Sequence, residues 1–230
     1  MRFHEFDSRE ALAEALAERI GDALAAAVEK NGKAALAVSG GSTPELLFKV
    51  LSGKDIDWEK ITVTLVDERF VEPANPRSNM GFVARLLLQD KAAHAKFLPL
   101  HDGSADTTND AIAVAEKEIG SLGEIDVCVL GMGTDGHTAS FFPGGSKLAE
   151  AIDPNTKHLV LEMTAPGAGE ERLTLTLPVI VAADNLILHI EGEEKRQVLE
   201  KAKQAGPTED MPVRSILGAA DKKLEIYWAA

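Results

Sequence analysis

Residues 125–144, IDVCVLGMGTDGHTASFFPG, decide how this chain is read. The apolar run Val127-Cys128-Val129-Leu130 is short and rich in β-branched residues, which predicts a buried strand. Gly131 and Gly133 follow, where the backbone turns sharply and a ligand approaches closely. Directly after them stand one carboxylate, Asp135, and one imidazole, His137. Ligands of open α/β sheets bind outside the carboxyl ends of the strands. Asp135 and His137 are therefore expected at the working edge of such a sheet.

Working outward, other segments repeat the same grammar of strand, turn and helix. Residues 34–38, AALAV, predict a second buried strand, which runs into Ser39-Gly40-Gly41-Ser42-Thr43-Pro44 and the helical ELLFKVLSG. Such a turn is suited to cradle a phosphate. Gly40 and Gly41 allow close approach, the hydroxyls of Ser42 and Thr43 donate, and the helix N-terminus adds its partial positive charge. Pro44 fits the first helical turn. The stretch matches neither the lysine-bearing phosphate loop nor the dinucleotide fingerprint, and by itself it also serves as a plain capped turn.

Residues 61–66, ITVTLV, predict a strand ending in Asp67-Glu68-Arg69, three charges that fit a site at the sheet's carboxyl end. Ser78-Asn79 caps the following helix. Residues 2–6 read as a strand offering Phe3 and Phe6 to the core. Ser8 caps a helix over 9–29, closed by Asn31-Gly32. A strand over 97–100, a helix over 106–121 and a strand over 158–163 follow. Residues 172–178, RLTLTLP, alternate as a half-exposed strand would. A strand over 185–190, a helix over 193–204 with Lys195 in its first turn, the segment MPVRSIL, a turn and the strand KLEIYW complete the chain. Lysine is unfavourable at a helix N-terminus, which points to an anionic partner there. Alternating strands and helices predict one domain over residues 1–230. Its class is α/β, a three-layer α/β/α Rossmann-like arrangement with a mostly parallel sheet and some antiparallel additions.

Composition narrows the functions. The 230 residues carry a net charge of −13, with 45% hydrophobic and 27% charged residues. That balance argues against nucleic acid or an anionic membrane as the main partner, since both want a basic face. The N-terminus lacks an apolar leader and no apolar run reaches membrane-spanning length, so a cytoplasmic protein is expected. Cys128 is the single cysteine and lies inside an apolar strand, as a buried, inert thiol. Asp-x-His supplies two metal ligands and no further motif completes a set, so no metal is expected. The other histidines, at 4, 94, 101, 158 and 189, read as surface or structural. His137 is the natural general base, because its ordinary pKa lies near neutrality. Without a GxSxG elbow, water is the expected nucleophile.

SGGSTP (39–44), VDERFV (66–71), SN (78–79), GMGTDGHTASFFPG (131–144), RLTLTLP (172–178) and the GEEK ending at Lys195 closely resemble the 6-phosphogluconolactonase family, in its order and over essentially the whole chain. The related glucosamine-6-phosphate deaminases share the cradle. Their histidine motif, however, continues with a glutamate where this chain has Phe142, which cannot relay a proton. The resemblance implies cofactor-free hydrolysis of 6-phospho-D-glucono-1,5-lactone, the second step of the oxidative pentose phosphate pathway. His137 would activate the water. Arg69 would stabilise developing charge or bind substrate oxygens, and Asp67 would orient Arg69 or a substrate hydroxyl. Gly40, Gly41, Ser42 and Thr43, with Asn79, Arg172 and Lys195, would hold the phosphorylated substrate. Asp135 would orient His137 or only shape its loop. The implied partner is a small phosphorylated sugar lactone, taken up by a monomer or weak homo-oligomer. A deaminase-like isomerase and a non-catalytic sugar-phosphate-binding regulator are the alternatives.

Overall fold

The computed structural model describes residues 1–220 and 222–230; position 221, in the turn expected before the last strand, lies outside the described residues. In chain order the elements are β1 (Arg2–Phe6), α1 (Arg9–Asn31), β2 (Ala34–Val38), α2 (Glu45–Ser52), β3 (Ile61–Leu65), β4 (Asp67–Arg69), α3 (Asn79–Leu86), β5 (Lys96–Leu98) and α4 (Thr108–Leu122). Then come β6 (Val127–Leu130), α5 (Leu148–Ala151), β7 (Val160–Met163), β8 (Arg172–Leu175), α6 (Leu177–Ala182), β9 (Asn185–Glu191), α7 (Glu193–Lys203), α8 (Val213–Ala219) and β10 (Glu225–Ala229). Seven strands form a parallel sheet in the order β1-β10-β9-β6-β2-β3-β5, and β4-β8-β7 form a small antiparallel sheet. This is the α/β arrangement expected, and its antiparallel additions are β7 and β8 joined by β4.

The strand order explains where a site must lie. From β2 the chain moves outward through β3 to β5, then returns to the opposite side of β2 with β6 and continues to β9 and β10. Between β2 and β6 the direction of winding reverses, and a crevice opens at the carboxyl ends of strands at such a point. The turn 39–44 leaves β2 and the segment 131–144 leaves β6. Both therefore emerge at the crevice.

Local chemistry sets the elements. Every residue of β2 and of β6 is buried, as the continuous apolar runs of strands covered on both faces require. Ser8 caps α1 by accepting from the Ala11 N–H, and Gly32 closes it in the left-handed conformation at φ 74°. A cap of the Ser8 type contributes about 1 kcal/mol. Leu12, Leu16, Ile20 and Leu24 form the buried stripe of α1. Cys128 is fully buried, and burial pushes its thiol pKa up to about 12, so it is inert near neutrality.

Several expectations fail for identifiable reasons. Phe3 is 38% exposed and does not enter the core, because β1 is an edge strand; its ring lies under Arg196 and Lys203 instead. Pro44 stands one position before the first helical residue of α2. Residues 55–60, polar in sequence apart from Ile56 and Trp58, hold a 3₁₀ turn whose Trp58 is buried, its indole N–H donating to the Lys54 carbonyl. Residues 172–178 are not a half-exposed strand. β8 ends at Leu175, all four of its residues are buried, and LPVIVA continues as α6. Thr174 and Thr176 are tolerated inside because their hydroxyls donate to the carbonyls of Leu175 and His158. VRSILGA forms α8. Among the described residues, no helix is long and apolar enough to cross a membrane.

Candidate active site

A pocket of about 220 Å³ lies over the crevice. It is lined from β2's turn by Ser39, Gly40, Gly41, Ser42 and Thr43, and from the segment after β6 by Gly131, Met132, Gly133, His137 and Ala139. Asp67, Arg69, Asn79, Arg172 and Lys195 complete the wall. Ten of the eleven candidate residues read from the sequence thus meet in one cavity. The eleventh, Asp135, stands behind His137.

The histidine is held from one side. Asp135 Oδ1 lies 2.6 Å from His137 Nδ1 and also accepts the His137 backbone N–H at 3.1 Å. Burial alone would raise the Asp135 pKa, but the hydrogen bond and charge of His137, with backbone donors, carry it below the usual carboxylate value. An ionised carboxylate only accepts, so Nδ1 carries the proton and Nε2 keeps its lone pair as the basic atom. The His137 carbonyl accepts from the Gly133 N–H at 2.9 Å. A Cβ at Gly133 would overlap the His137 ring and approach Asp135 Oδ1 to 2.7 Å, so only glycine fits there. The other face of the imidazole meets Phe142, ring centroids 4.5 Å apart. Phe142 also lies under the Arg172 guanidinium at 5.4 Å.

The opposing turn is a set of unused donors. Among the described residues, the N–H groups of Gly40, Gly41, Ser42 and Thr43 have no hydrogen-bond acceptor. They face the same cavity as three cations. Lys195 Nζ donates to Thr43 Oγ1 at 2.9 Å, so α7 reaches across to the turn. Burial lowers the Lys195 pKa, with Glu191 and Glu194 opposing it. Arg172 is 6% exposed and donates through Nη2 to the Ala168 carbonyl at 2.6 Å. Arg69 and Arg172 pair directly across β4 and β8, and the buried Nε of each lacks a partner. Arg69 Nη1 donates to the Arg77 carbonyl. Buried, unpartnered guanidinium donors beside free N–H groups give the cavity the donors and charge that an anion would use.

One expectation about Asp67-Glu68-Arg69 is corrected, that for Glu68. Asp67 makes no ion pair with Arg69. Its Oδ2 accepts from the Ser140 hydroxyl at 2.7 Å, and its backbone carbonyl accepts from Asn79 Nδ2 at 2.8 Å. Glu68 is not a pocket residue. It turns to the opposite face of the short strand, where Oε1 accepts from the N–H groups of Arg69 and Asn79 and Oε2 from Met80 N–H and Ser78 Oγ. Glu68 thereby caps α3 and ties Arg69 to Asn79, while burial raises its own pKa against those donors. Gly40 is needed here as well, since a Cβ would strike the Asn79 carboxamide. Ser140, which the sequence reading passed over, is the partner of Asp67; a lone buried hydroxyl leaves no pattern in sequence.

The remaining histidines are structural or surface, as expected. His101 is buried against Phe70, His189 beside Glu191, and His158 is exposed next to Glu116 and Glu150. Among the described residues, no three His, Cys, Asp or Glu side chains converge to hold a metal ion.

Comparison with known proteins gives the chain its family. The family model for glucosamine-6-phosphate isomerases/6-phosphogluconolactonase matches residues 7–228. A 6-phosphogluconolactonase of Rhizobium meliloti (strain 1021) is 54% identical over 227 residues, covering 98% of this chain and 97% of the relative. One from Mesorhizobium japonicum is 48% identical over 228 residues, covering 99% and 94%. The crystal structure of a 6-phosphogluconolactonase from Shewanella baltica OS155 superimposes with a TM-score of 0.91 at 38% identity, over 100% of this chain and 98% of that one.

Proposed function

The chain belongs to the family of glucosamine-6-phosphate isomerases and 6-phosphogluconolactonases, and from that premise we propose that it hydrolyses 6-phospho-D-glucono-1,5-lactone to 6-phospho-D-gluconate. It is a hydrolase of carbohydrate metabolism and acts in the pentose phosphate pathway. The observation that carries this reading is the imidazole whose Nδ1 is fixed by Asp135 in a cavity walled by free N–H donors and cations. A phosphorylated lactone offers that cavity what it lacks, an anion at one end and a carbonyl at the other.

The roles follow from the geometry. The phosphate takes the N–H groups of residues 40–43 together with Arg172 and Lys195. His137 Nε2 removes a proton from water, and the hydroxide adds to the lactone carbonyl carbon. Arg69 faces the oxyanion that forms; positioned donors of this kind are worth roughly 3–4 kcal/mol. The ring C–O bond then breaks, His137 returns the proton to the ring oxygen, and the new carboxylic acid ionises to bulk water. Asp67, with Oδ2 taken by Ser140, offers its other oxygen to a substrate hydroxyl, and Asn79 supplies a further polar wall. Asp135 keeps the imidazole in its basic tautomer. Phe142 packs on His137 where the deaminases' motif has a glutamate, so ring opening by a relayed proton lacks its acid, and the deaminase reading is not favoured.

Residues 1–230 act as one domain in this reading, supported by a continuous hydrophobic core from α1 to β10. The cytoplasm as location, a monomer or weak homo-oligomer, and no nucleic-acid or membrane partner belong to the same proposal, supported by the net charge of −13. The test is a coupled assay. Glucose-6-phosphate dehydrogenase makes the lactone in situ and 6-phosphogluconate dehydrogenase reports the acid through NADPH. A clear acceleration over spontaneous hydrolysis is expected. No acceleration by folded protein would overturn the reading and turn the search to ammonia release from glucosamine 6-phosphate.

A further inference from the structure

We propose that Ser140 is a positioning residue for the hydrolysis, its hydroxyl fixing the Asp67 carboxylate in register with His137. The inference rests on the lactonase reading above. Ser140 is fully buried, and its Oγ donates to Asp67 Oδ2 at 2.7 Å. Its own N–H donates to Thr174 Oγ1 at 3.3 Å, and Thr174 is the residue opposite Asp67 across β4 and β8. Three elements that are distant in sequence therefore meet in one buried polar knot. All three carry pocket residues.

The link from this knot to the base is short and stiff. Ser140 stands three residues after His137, and the intervening segment is locked at each step. The Thr138 hydroxyl donates to the Gly131 carbonyl at 2.7 Å, and Phe141 N–H donates to the Thr138 carbonyl at 2.9 Å. Ala139 is held at φ 49°, a left-handed conformation that costs a residue with a Cβ roughly 1–2 kcal/mol. That strain persists only where the surroundings over-determine it. Its effect is to aim His137 at the pocket while Ser140 faces away into the knot. Among the described residues the Asp67 carboxylate forms no ion pair within 4 Å; Arg172 attracts it from longer range, and the hydrogen bond it accepts comes from the Ser140 hydroxyl. Ser140 is therefore the group that determines where the carboxylate sits, and its loop determines where the base sits.

A structural role alone would make Ser140 a buried hydroxyl whose loss weakens the fold and activity without reference to Asp67. The two are separated by a double-mutant cycle in the coupled assay, with wild type, Ser140→Ala, Ser140→Cys, Asp67→Asn and the Asp67→Asn/Ser140→Ala pair. Losing one hydrogen bond to a charged group predicts a fall in kcat of about tenfold for Ser140→Ala, with KM within about twofold. Ser140→Cys, which keeps the volume and a weak donor, falls between. In the Asp67→Asn background the Ser140→Ala change costs less than about twofold. Ser140→Ala activity within twofold of wild type, or an equal loss in both backgrounds, overturns the proposal. If Ser140→Ala does not fold, Ser140→Cys and its pair with Asp67→Asn give the same two readouts. A wild type that is itself inactive overturns the lactonase reading instead.

Discussion

The two segments that face each other across the pocket are built in opposite ways. The turn after β2 leaves the N–H groups of residues 40–43 unbonded and its Gly41 and Ser42 exposed. The segment after β6 spends nearly all its polar groups on itself and its neighbours, and buries Thr138, Ser140, Phe141 and Phe142. An anion can satisfy the first segment, so it has a reason to wait incomplete. The second must hold an imidazole at a fixed angle before substrate arrives, and is complete without it. The proposed function puts binding in the open half of the site and proton transfer in the closed half.

The strongest attempt to break this division is His137→Ala. General-base catalysis is worth about 100-fold or more, so kcat, corrected for spontaneous lactone opening, should fall by at least that factor. KM should change little, because the phosphate contacts lie on the other segment. A variant that kept near-normal turnover would remove the base from the closed half and the mechanism with it.

A matched pair of glycine substitutions sharpens the comparison. Gly133→Ala puts a methyl into the His137 ring and against Asp135, in a segment with no room to give. Displacing a catalytic group by even 1 Å costs about 100-fold, so kcat should fall by at least about tenfold. At Gly41, φ is 95° but an added Cβ meets nothing within 4 Å. Gly41→Ala therefore carries backbone strain of roughly 1–2 kcal/mol, felt mainly as a severalfold rise in KM. If the two variants affect kcat alike, the segments are not built differently in the sense claimed.

The same contrast explains what could be read before the fold was known. β2 and β6 were legible because strands of a parallel sheet are apolar throughout, and the glycine-rich turn because it follows such a strand. The histidine was legible from its neighbours in sequence. The relations across the closed segment were not. Asp67 reads as a partner of Arg69 or of a substrate hydroxyl, and nothing in the sequence ties it to Ser140, 73 positions away, whose hydroxyl donates to it. Glu68 reads as a third site charge, yet strand alternation turns it to the other face, where it caps α3. Thr174 and Thr176 imitate a solvated face because sequence does not show which carbonyls accept their hydroxyls. The short apolar helices α6 and α8 are too brief for a 3.6-residue period to declare itself.

The finest test is a local one and needs no substitution. If the turn 39–44 is completed by the substrate's anion, amide exchange at residues 40–43 should slow on adding saturating 6-phosphogluconate, by about tenfold or more for groups that gain an acceptor. Exchange in residues 138–142 should stay within about twofold, because those amides and side chains already have their partners or are buried. Inorganic phosphate alone should reproduce part of the protection at 40–43, since the donors recognise the anion and not the sugar chain. Equal protection of both segments would mean that the base is also ordered by the ligand. Protection confined to 138–142 would reverse the assignment of roles, making the histidine segment the adaptable half and the glycine turn the scaffold.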